Sequence, residues 1–365
     1  MNYKMEDALE YIIDYRGKTP VKSDAGIETL SARSVRDGYI DYSQCYYISP
    51  EEYKRFMVRG FPQIGDVLLT TEAPLGVTAR LDRDDVAIAQ RLLTLRGKEG
   101  ILDTGFLYYY LKSNVGQSKL KAKETGTTVT GIKQAEFRKI EIEIPDIATQ
   151  KKIACVLISI DERVNTNKLI NHNLQAQAQA IYTDYFISNR NPSWTIGHLS
   201  DLITVKYGKD HKKLADGKYP VYGSGGIMRY VEKPLYDKES VLIPRKGTLN
   251  NVMYVNEPFW SVDTMFFTEM KQNNVAKFVY HFVKNKDLVA LNAGSAVPSM
   301  TTDILNSMEL RIPDNGTLER FEDVVSPIYQ AEHYIVNESK RLSELRDALL
   351  PKLMSGEIDV SHVEV

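Results

Sequence analysis

The sequence predicts an α+β fold: two copies of a mixed α/β domain, separated by two long antiparallel helices that form an intramolecular coiled coil. Two observations predict it. Apolar residues recur at heptad spacing over two long stretches, and the tripeptide Ile-Pro-Asp precedes both, at residues 144–146 and 312–314. Short motifs also recur in the same order before the two stretches, which indicates an internal duplication.

The first heptad stretch predicts one continuous helix. No proline or glycine interrupts it after Pro145, and Thr149 is the expected N-cap. A mostly apolar seam with two asparagines at its middle must be buried against another helix. The seam consists of Ile153, Leu157, Ile160, Val164, Asn167, Asn171, Leu174, Ala178, Ile181 and Tyr185.

The second stretch repeats this frame 168 residues later and supplies the partner helix. Its seam consists of Phe321, Val325, Ile328, Glu332, Ile335, Ser339, Leu342, Arg346, Leu349 and Leu353. Antiparallel pairing would bring the polar middles together, where a buried polar cluster fixes register at some cost in stability. Pro327 should kink the second helix near its start. The alternative is two ordinary surface helices, each packed on its own domain.

Composition narrows the class of protein. A chain of 365 residues that is 43% hydrophobic can bury more than one core. No apolar run is long enough to cross a bilayer, and the N-terminus lacks a signal-peptide layout. The two cysteines form no disulfide framework, which favours the cytoplasm. Residues 189–313 carry 16 Lys/Arg against 12 Asp/Glu, a modest indication of a basic face.

The predicted boundaries follow from the helices. We expect domains at residues 1–145 and 191–313, the first helix and a linker at 146–190, the second helix at 314–355, and a tail at 356–365. In the first copy, residues 66–71, 87–89 and 140–144 are expected as strands and residues 106–113 as a helix. The repeated motifs pair Gly17-Lys18 with Gly208-Lys209, residues 65–69 with 239–243, 106–112 with 278–284, and 126–129 with 294–297.

Catalytic patterns are weak. The segment Asn191-Pro-Ser-Trp194 lacks the second proline of a base-amino methyltransferase loop, and the glycines of residues 222–226 lack dinucleotide-binding spacing. Asp41 with Glu52-Tyr-Lys54 fits a nuclease pattern only loosely. Neither Cys45 nor Ser224 has an identifiable base, and the six histidines show no metal-ligand spacing. We therefore predict no catalytic residue, no metal and no cofactor in this chain.

Binding chemistry is concentrated in the second copy. Glycines at residues 222–226 would let the backbone approach a ligand, and Arg245, Lys246 and Thr248 end a predicted strand. Arginine binds guanine edges and lysine neutralises phosphate, although ordinary turn chemistry and solvated charge remain the alternative. The duplicate loop at residues 70–74 lacks the basic pair. The DNA-binding candidates are Lys18, Thr70, Thr71, Lys209, Lys212, Lys213, Tyr222, Ser224, Gly225, Arg245 and Lys246.

Over its whole length the chain resembles the specificity subunit of Type I restriction–modification systems. The resemblance is carried by Ile-Pro-Asp before each helix, by residues 219–226 and 349–359, and by residues 240–248 with 254–260, which look like the core of a target recognition domain. It implies a non-enzymatic subunit whose two target recognition domains each read one half of a bipartite site on double-stranded DNA.

The resemblance also implies partners. The paired helices would hold the two domains apart and dock two methyltransferase subunits, which carry S-adenosylmethionine, and a motor-nuclease subunit can join them. Two other functions stay open on the sequence. One is a coiled-coil scaffold that binds protein partners rather than DNA, and the other is a self-sufficient DNA methyltransferase or nuclease.

Overall fold

The computed structural model describes residues 1–15, 17–126, 130–292 and 299–364. The chain divides into two compact units. Unit 1 comprises Met1–Asn167 with Asn337–Val365, and unit 2 comprises Lys168–Val336. Each unit thus contains one globule and one half of each long helix. The predicted domain boundaries, which place both helices outside the globules, stay a prediction.

The globule of unit 1 is built from short strands and short helices. Its main sheet has four antiparallel strands in the order β2-β10-β7-β8, and a second sheet has the order β6-β3-β9. The strands are β1 (Asn2–Lys4), β2 (Leu9–Asp14), β3 (Ile27–Leu30), β4 (Val35–Arg36), β5 (Tyr39–Ile40), β6 (Tyr46–Ile48), β7 (Val67–Thr70), β8 (Thr78–Arg80), β9 (Ala87–Ile88), β10 (Leu92–Gly97) and β11 (Glu141–Glu143). The helices are α1 (Met5–Ala8), α2 (Pro50–Phe56), α3 (Thr104–Lys112), α4 (Asn114–Ala122) and α5 (Gln134–Arg138).

The globule of unit 2 repeats this plan. The first long helix, α6 (Ile147–Thr183), ends in a π-helical turn at Asp184–Ser188 and leads into it. The strands are β12 (Thr195–His198), β13 (Ile203–Tyr207), β14 (Asp216–Gly223), β15 (Gly226–Val231), β16 (Ser240–Pro244), β17 (Met253–Val255), β18 (Trp260–Ser261), β19 (Met265–Met270) and β20 (Glu309–Ile312). The helices are α7 (Leu199–Leu202), α8 (Ala276–Lys284), α9 (Thr302–Asn306) and the second long helix, α10 (Asn315–Ser355). The main sheet has the order β13-β19-β16-β17.

Strand register confirms the duplication. Leu69 lies opposite Leu93 in unit 1, and Ile243 lies opposite Phe266 in unit 2, as the pairing of residues 65–69 with 239–243 requires. The proposed equivalence of Gly17 and Gly208 is wrong by two positions, because Gly17 lies three residues after β2 and Gly208 directly follows β13. The pairing of residues 126–129 with 294–297 lies outside the described residues, apart from Gly126.

Both long helices are capped by an aspartate. The carboxylate of Asp146 accepts hydrogen bonds from the backbone N–H of Thr149 at 3.0 Å and from its hydroxyl at 2.7 Å. Asp314 accepts the same pair from Thr317, each at 2.9 Å. These bonds, led by the backbone N–H, hold the pKa of both carboxyls below the usual range. Thr149 is therefore not the N-cap but the third helical residue, which the cap binds.

In unit 1 the halves of α6 and α10 run antiparallel. Asp161 pairs with Arg346 at 2.7 Å, and six residues further along α6, the amide of Asn167 donates to Ser339 at 3.1 Å. Residue numbers rise on one helix as they fall on the other, which defines the direction. Asn167 is fully buried, and it also donates to Glu338 at 2.7 Å. The predicted meeting of the polar middles is confirmed here.

The halves in unit 2 are also antiparallel. Gln175 donates to Glu332, while the rings of Tyr182 and Tyr185 pack on Phe321 at centroid distances of 6.3 and 5.8 Å. Helix α10 continues through the exposed Pro327 without interruption. No seam position in either helix is exposed. The buried ones are Ile153, Leu157, Ile160, Val164, Asn167, Ala178, Phe321, Val325 and Leu353, and the others are half-buried.

One of the contacts between each globule and its half of the long helices is made by equivalent residues in the two copies. In unit 1, the hydroxyl of Tyr109 on α3 donates to Asp161 at 2.7 Å. In unit 2, His281 occupies the corresponding position on α8, and its Nε2 lies 2.9 Å from the hydroxyl of Tyr329. Tyr329 is the residue 168 positions after Asp161. The same point of contact was therefore kept in both copies while its chemistry changed.

His281 is buried and neutral. Its Nδ1 lies 2.9 Å from the amide oxygen of Gln179, which can only accept, so Nδ1 carries the proton and Nε2 accepts from Tyr329. Burial, helped by the charge of Lys284, lowers the pKa of His281 to about 3. The charged form is thus disfavoured in the folded protein.

We expect Tyr109→Phe to lower the free energy of unfolding by about 1–2 kcal/mol, because it removes a buried hydrogen bond to a carboxylate. Asp161 keeps its ion pair with Arg346, so no charge is orphaned. Tyr110→Phe is the matched control, since the buried Tyr110 hydroxyl has no hydrogen-bond partner among the described residues. Urea unfolding of both variants is the measurement, and an equal loss in the two would contradict the assignment.

Acid should destabilise the protein partly through His281. The unfolded histidine titrates near pH 6.5, and the folded one near 3. The contribution to stability is therefore complete above pH 6.5 and is lost as pH falls toward 3, by roughly 2 kcal/mol between pH 6.5 and 5. In His281→Gln this part of the pH dependence should vanish, while the two proteins respond alike between pH 7 and 8. Parallel unfolding curves across the whole range would show that His281 is not held neutral.

Candidate nucleic-acid interface

In unit 2, three separate stretches carrying predicted binding residues converge on Trp260–Thr264, which we call segment S2. The backbone N–H of Lys209 donates to Ser261 at 2.8 Å. The carbonyl of Tyr222 accepts from Val262 at 3.1 Å, and the N–H of Arg245 donates to Thr264 at 2.9 Å. The parallel pairing of β14 with β18 fixes this arrangement.

The guanidinium of Arg245 is held in one orientation. Its Nη1 donates to the carbonyl of Asp263 at 2.9 Å, and its Cζ lies 5.5 Å from the centroid of the Tyr207 ring. Among the described residues, no other hydrogen bond to this guanidinium is found. The side chain is half-buried, so its remaining N–H groups can bind a planar acceptor pair at low entropic cost.

Two predicted loops face each other beside S2. Gly247 has a φ of +85°, and a Cβ placed there would lie 2.6 Å from the Ser224 hydroxyl, so only glycine fits. The amide of Asn251 donates to the carbonyl of Ser224 at 2.8 Å and ties the two loops together. Lys246 and Gly225 are both exposed at this surface.

Other predicted residues of unit 2 are placed differently. Tyr222 reaches S2 only through its backbone, because its ring packs on Phe259 at 6.1 Å and its hydroxyl lies 3.5 Å from Glu257. Burial raises the pKa of this phenol. Lys212 and Lys213 are exposed in a turn that the Asp210 carboxylate closes, and no hydrogen bond or ion pair within the described residues joins them to S2.

Unit 1 has an equivalent segment, Ala87–Arg91, which we call segment S1. Ala89 donates to the carbonyl of Leu30 at 2.8 Å, as Val262 does to Tyr222 in the other copy. The side-chain amide of Gln90 donates to the carbonyl of Lys18 at 3.1 Å, which places this exposed lysine beside S1. Gly17-Lys18 and Gly208-Lys209 thus both lie beside the equivalent segments, S1 and S2, although they are two positions out of register in the repeat.

Thr70 and Thr71 are not presented at the surface of unit 1. Both are buried, and the Thr70 hydroxyl donates to Pro74 at 2.6 Å and accepts from Val77 at 2.9 Å. Their side chains support the loop rather than extend from it. Sequence reasoning missed S1 and S2 themselves, together with Tyr207, Asp263 and Asn251. Extending the repeat from β7 and β16 to the strands that pair with them would have found both segments.

The described residues show neither a metal site nor a membrane span. In this part of the chain, no three side chains of His, Cys, Asp or Glu lie close enough together to hold a metal ion. None of the described helices is both long and apolar enough to cross a bilayer.

Comparison with known proteins agrees with the duplicated architecture. The model of the Type I restriction modification DNA specificity domain matches residues 16–176 and 191–332. The chain is 24% identical to the Type I restriction enzyme MjaIX specificity subunit of Methanocaldococcus jannaschii, over 87% of this chain and 82% of that protein. It is 20% identical to the HindI specificity subunit of Haemophilus influenzae, over 76% and 82% of the two chains.

A solved structure has the same fold. The S subunit of a Type I restriction–modification system from M. genitalium superposes with a TM-score of 0.65 at 19% identity, covering 97% of this chain and 95% of that one. The family model covers well over half of the sequence, in two matches that each cover most of one globule. The chain therefore belongs to the family of Type I restriction–modification DNA specificity subunits.

Proposed function

We propose that this chain is the DNA-recognition subunit of a Type I restriction–modification complex, and that each globule reads one half of a bipartite site on double-stranded DNA. The observation that carries the proposal is the duplicated binding segment. S1 and S2 occupy the same position in the two copies, and each lies beside an exposed lysine, Lys18 or Lys209. Lysines beside an oriented arginine supply phosphate contacts and base readout together.

The proposed partners follow from the family. Two methyltransferase subunits would bind the long helices and supply S-adenosylmethionine, and a motor-nuclease subunit would join for cleavage. In this proposal the chain itself contributes recognition and no catalytic group. Its relatives in M. jannaschii and H. influenzae bear the name of specificity subunits, which supports this division of labour.

The function is tested in a host that expresses the complete system. Methylome sequencing should show one bipartite motif that disappears when this chain is deleted and returns when it is restored. The purified complex should retain DNA that contains this motif at a stated salt concentration. A complex that assembles but binds DNA without sequence preference would indicate a protein scaffold. Methylation or cleavage by the isolated chain would indicate an enzyme.

Arg245→Ala should weaken binding to the specific site by about 1–3 kcal/mol, because an oriented guanidinium that binds a guanine edge is lost. Discrimination should relax at one base pair of the half-site that unit 2 reads. Anisotropy titrations of the reconstituted complex at several salt concentrations measure both quantities. A phosphate contact would instead weaken all sequences evenly and reduce the salt slope by about one.

The control for this prediction is Arg190→Ala, which removes the same charge from an exposed position of unit 2. It should leave the half-site sequence unchanged. If Arg245→Ala also leaves affinity, sequence preference and salt dependence as they are, Arg245 is not part of the interface.

A further inference from the structure

The basic residues beside S1 and S2 stand on different strand ends in the two copies. In unit 2, Arg245 and Lys246 directly follow strand β16, and the uncharged Thr264 lies just before β19. In unit 1, the corresponding strand end carries Thr71 and Glu72, and the basic residue lies on the partner side as Arg91.

Backbone contacts establish that these positions are equivalent. Thr71 donates to the carbonyl of Arg91 at 3.0 Å, as Arg245 donates to that of Thr264 at 2.9 Å. The next residue makes an isolated antiparallel bridge in each copy, Glu72 with Gly131 and Lys246 with Ser299. Gly131 and Ser299 are 168 positions apart, the same offset as the long helices. Unit 1 therefore also has an arginine at this pair of strand ends. It is Arg91, which stands at the position of Thr264 and not at that of Arg245.

Arg91 is oriented and accessible. Its Nε lies 2.7 Å from Oε1 of Glu72, while 56% of its side chain is exposed. A carboxylate on the Nε edge leaves the terminal nitrogens of the guanidinium to bind a second planar group. Glu72 in unit 1 thus takes the orienting role that the carbonyl of Asp263 has in unit 2.

The backbone beside this ion pair is strained. Arg91 has a φ of +66° and Ala73, next to Glu72, a φ of +50°. Residues other than glycine rarely adopt this region and pay free energy to do so. Among the described residues, the only other case is Asn274. Two of these three residues therefore lie at the Arg91–Glu72 ion pair, one in the pair and one next to it. A strained backbone is expected where the position of a side chain matters for function more than the stability that the strain costs.

We propose that Arg91 is the base-reading residue of unit 1, that it binds a guanine edge in the half-site of this unit, and that Glu72 positions it. The inference rests on the proposed function, since it names the residue through which unit 1 reads DNA. Lys18, held beside S1 by Gln90, would bind the neighbouring phosphate.

Arg91→Gly is the informative variant, because glycine adopts a φ of +66° freely and the backbone should keep its conformation. The variant should melt at or above the temperature of the unchanged protein. In the reconstituted complex, discrimination at one base pair of one half-site should fall roughly tenfold to hundredfold. The other half-site should be read as before. Asn274→Gly makes the same backbone change in unit 2 and should alter neither half-site.

Two further variants separate base reading from charge. Arg91→Lys keeps the positive charge without the fork, so it should lose discrimination at the same base pair while the salt slope stays unchanged. Glu72→Gln keeps the arginine but weakens its orientation. It should relax discrimination at that base pair without loss of non-specific affinity, an outcome that a purely structural role for Glu72 does not produce.

The outcomes distinguish the two proposals. If the unchanged complex shows no sequence-specific binding, the proposed function fails and the role of Arg91 fails with it. If the unchanged complex is specific and folded Arg91→Gly reads both half-sites as before, only the role of Arg91 is overturned. A uniform loss across all DNA sequences with a smaller salt slope would make Arg91 a phosphate contact and would also overturn base reading.

Discussion

The buried amide of Asn167 is the constraint on which the arrangement of unit 1 depends. An amide removed from water must find hydrogen-bond partners, and Ser339 and Glu338 on α10 supply them for its nitrogen. A shift of α10 by one heptad would take both partners away from this nitrogen and would put Glu332 or Arg346 in the place of Ser339. The amide oxygen of Asn167 has no partner among the described residues, so the register is fixed at a cost in stability.

Once the register is set, the attachment of the globule follows. In unit 1 the alignment brings Arg346 to Asp161, and this paired carboxylate then accepts the hydroxyl of Tyr109 from α3. In unit 2 the same place holds neutral groups, His281 between Gln179 and Tyr329. The attachment in unit 1 therefore depends on a charged carboxylate, and the attachment in unit 2 depends on a buried, uncharged imidazole ring. Acid should therefore weaken the attachment in unit 2 through His281, whose pKa burial lowers to about 3.

How much the sequence could predict depended on the range of the interactions. Heptad periodicity is local, and a constant offset is visible without coordinates, so the two helices, their direction and the duplication were predicted correctly. The cap was misassigned to Thr149 because Asp146 and Thr149 bind each other, and either is a common capping residue. Residue chemistry was enough to name Lys209 and Arg245 as candidates, but not S2, since only strand pairing brings Trp260–Thr264 between them.

The failure at Thr70 and Thr71 has a related cause. The loop after β7 was compared with the loop after β16 position by position, which assumes that duplicated sites keep their charges on the same strand. The structure shows that what is kept is the pair of backbone hydrogen bonds between strand ends, at 3.0 Å in unit 1 and 2.9 Å in unit 2. Because this scaffold is made by main-chain atoms, an exposed arginine can stand on either strand without disturbing the sheet. In the proposed function, such a surface changes the base it reads by exchanging side chains between two neighbouring strand ends, while the fold that presents them is left intact.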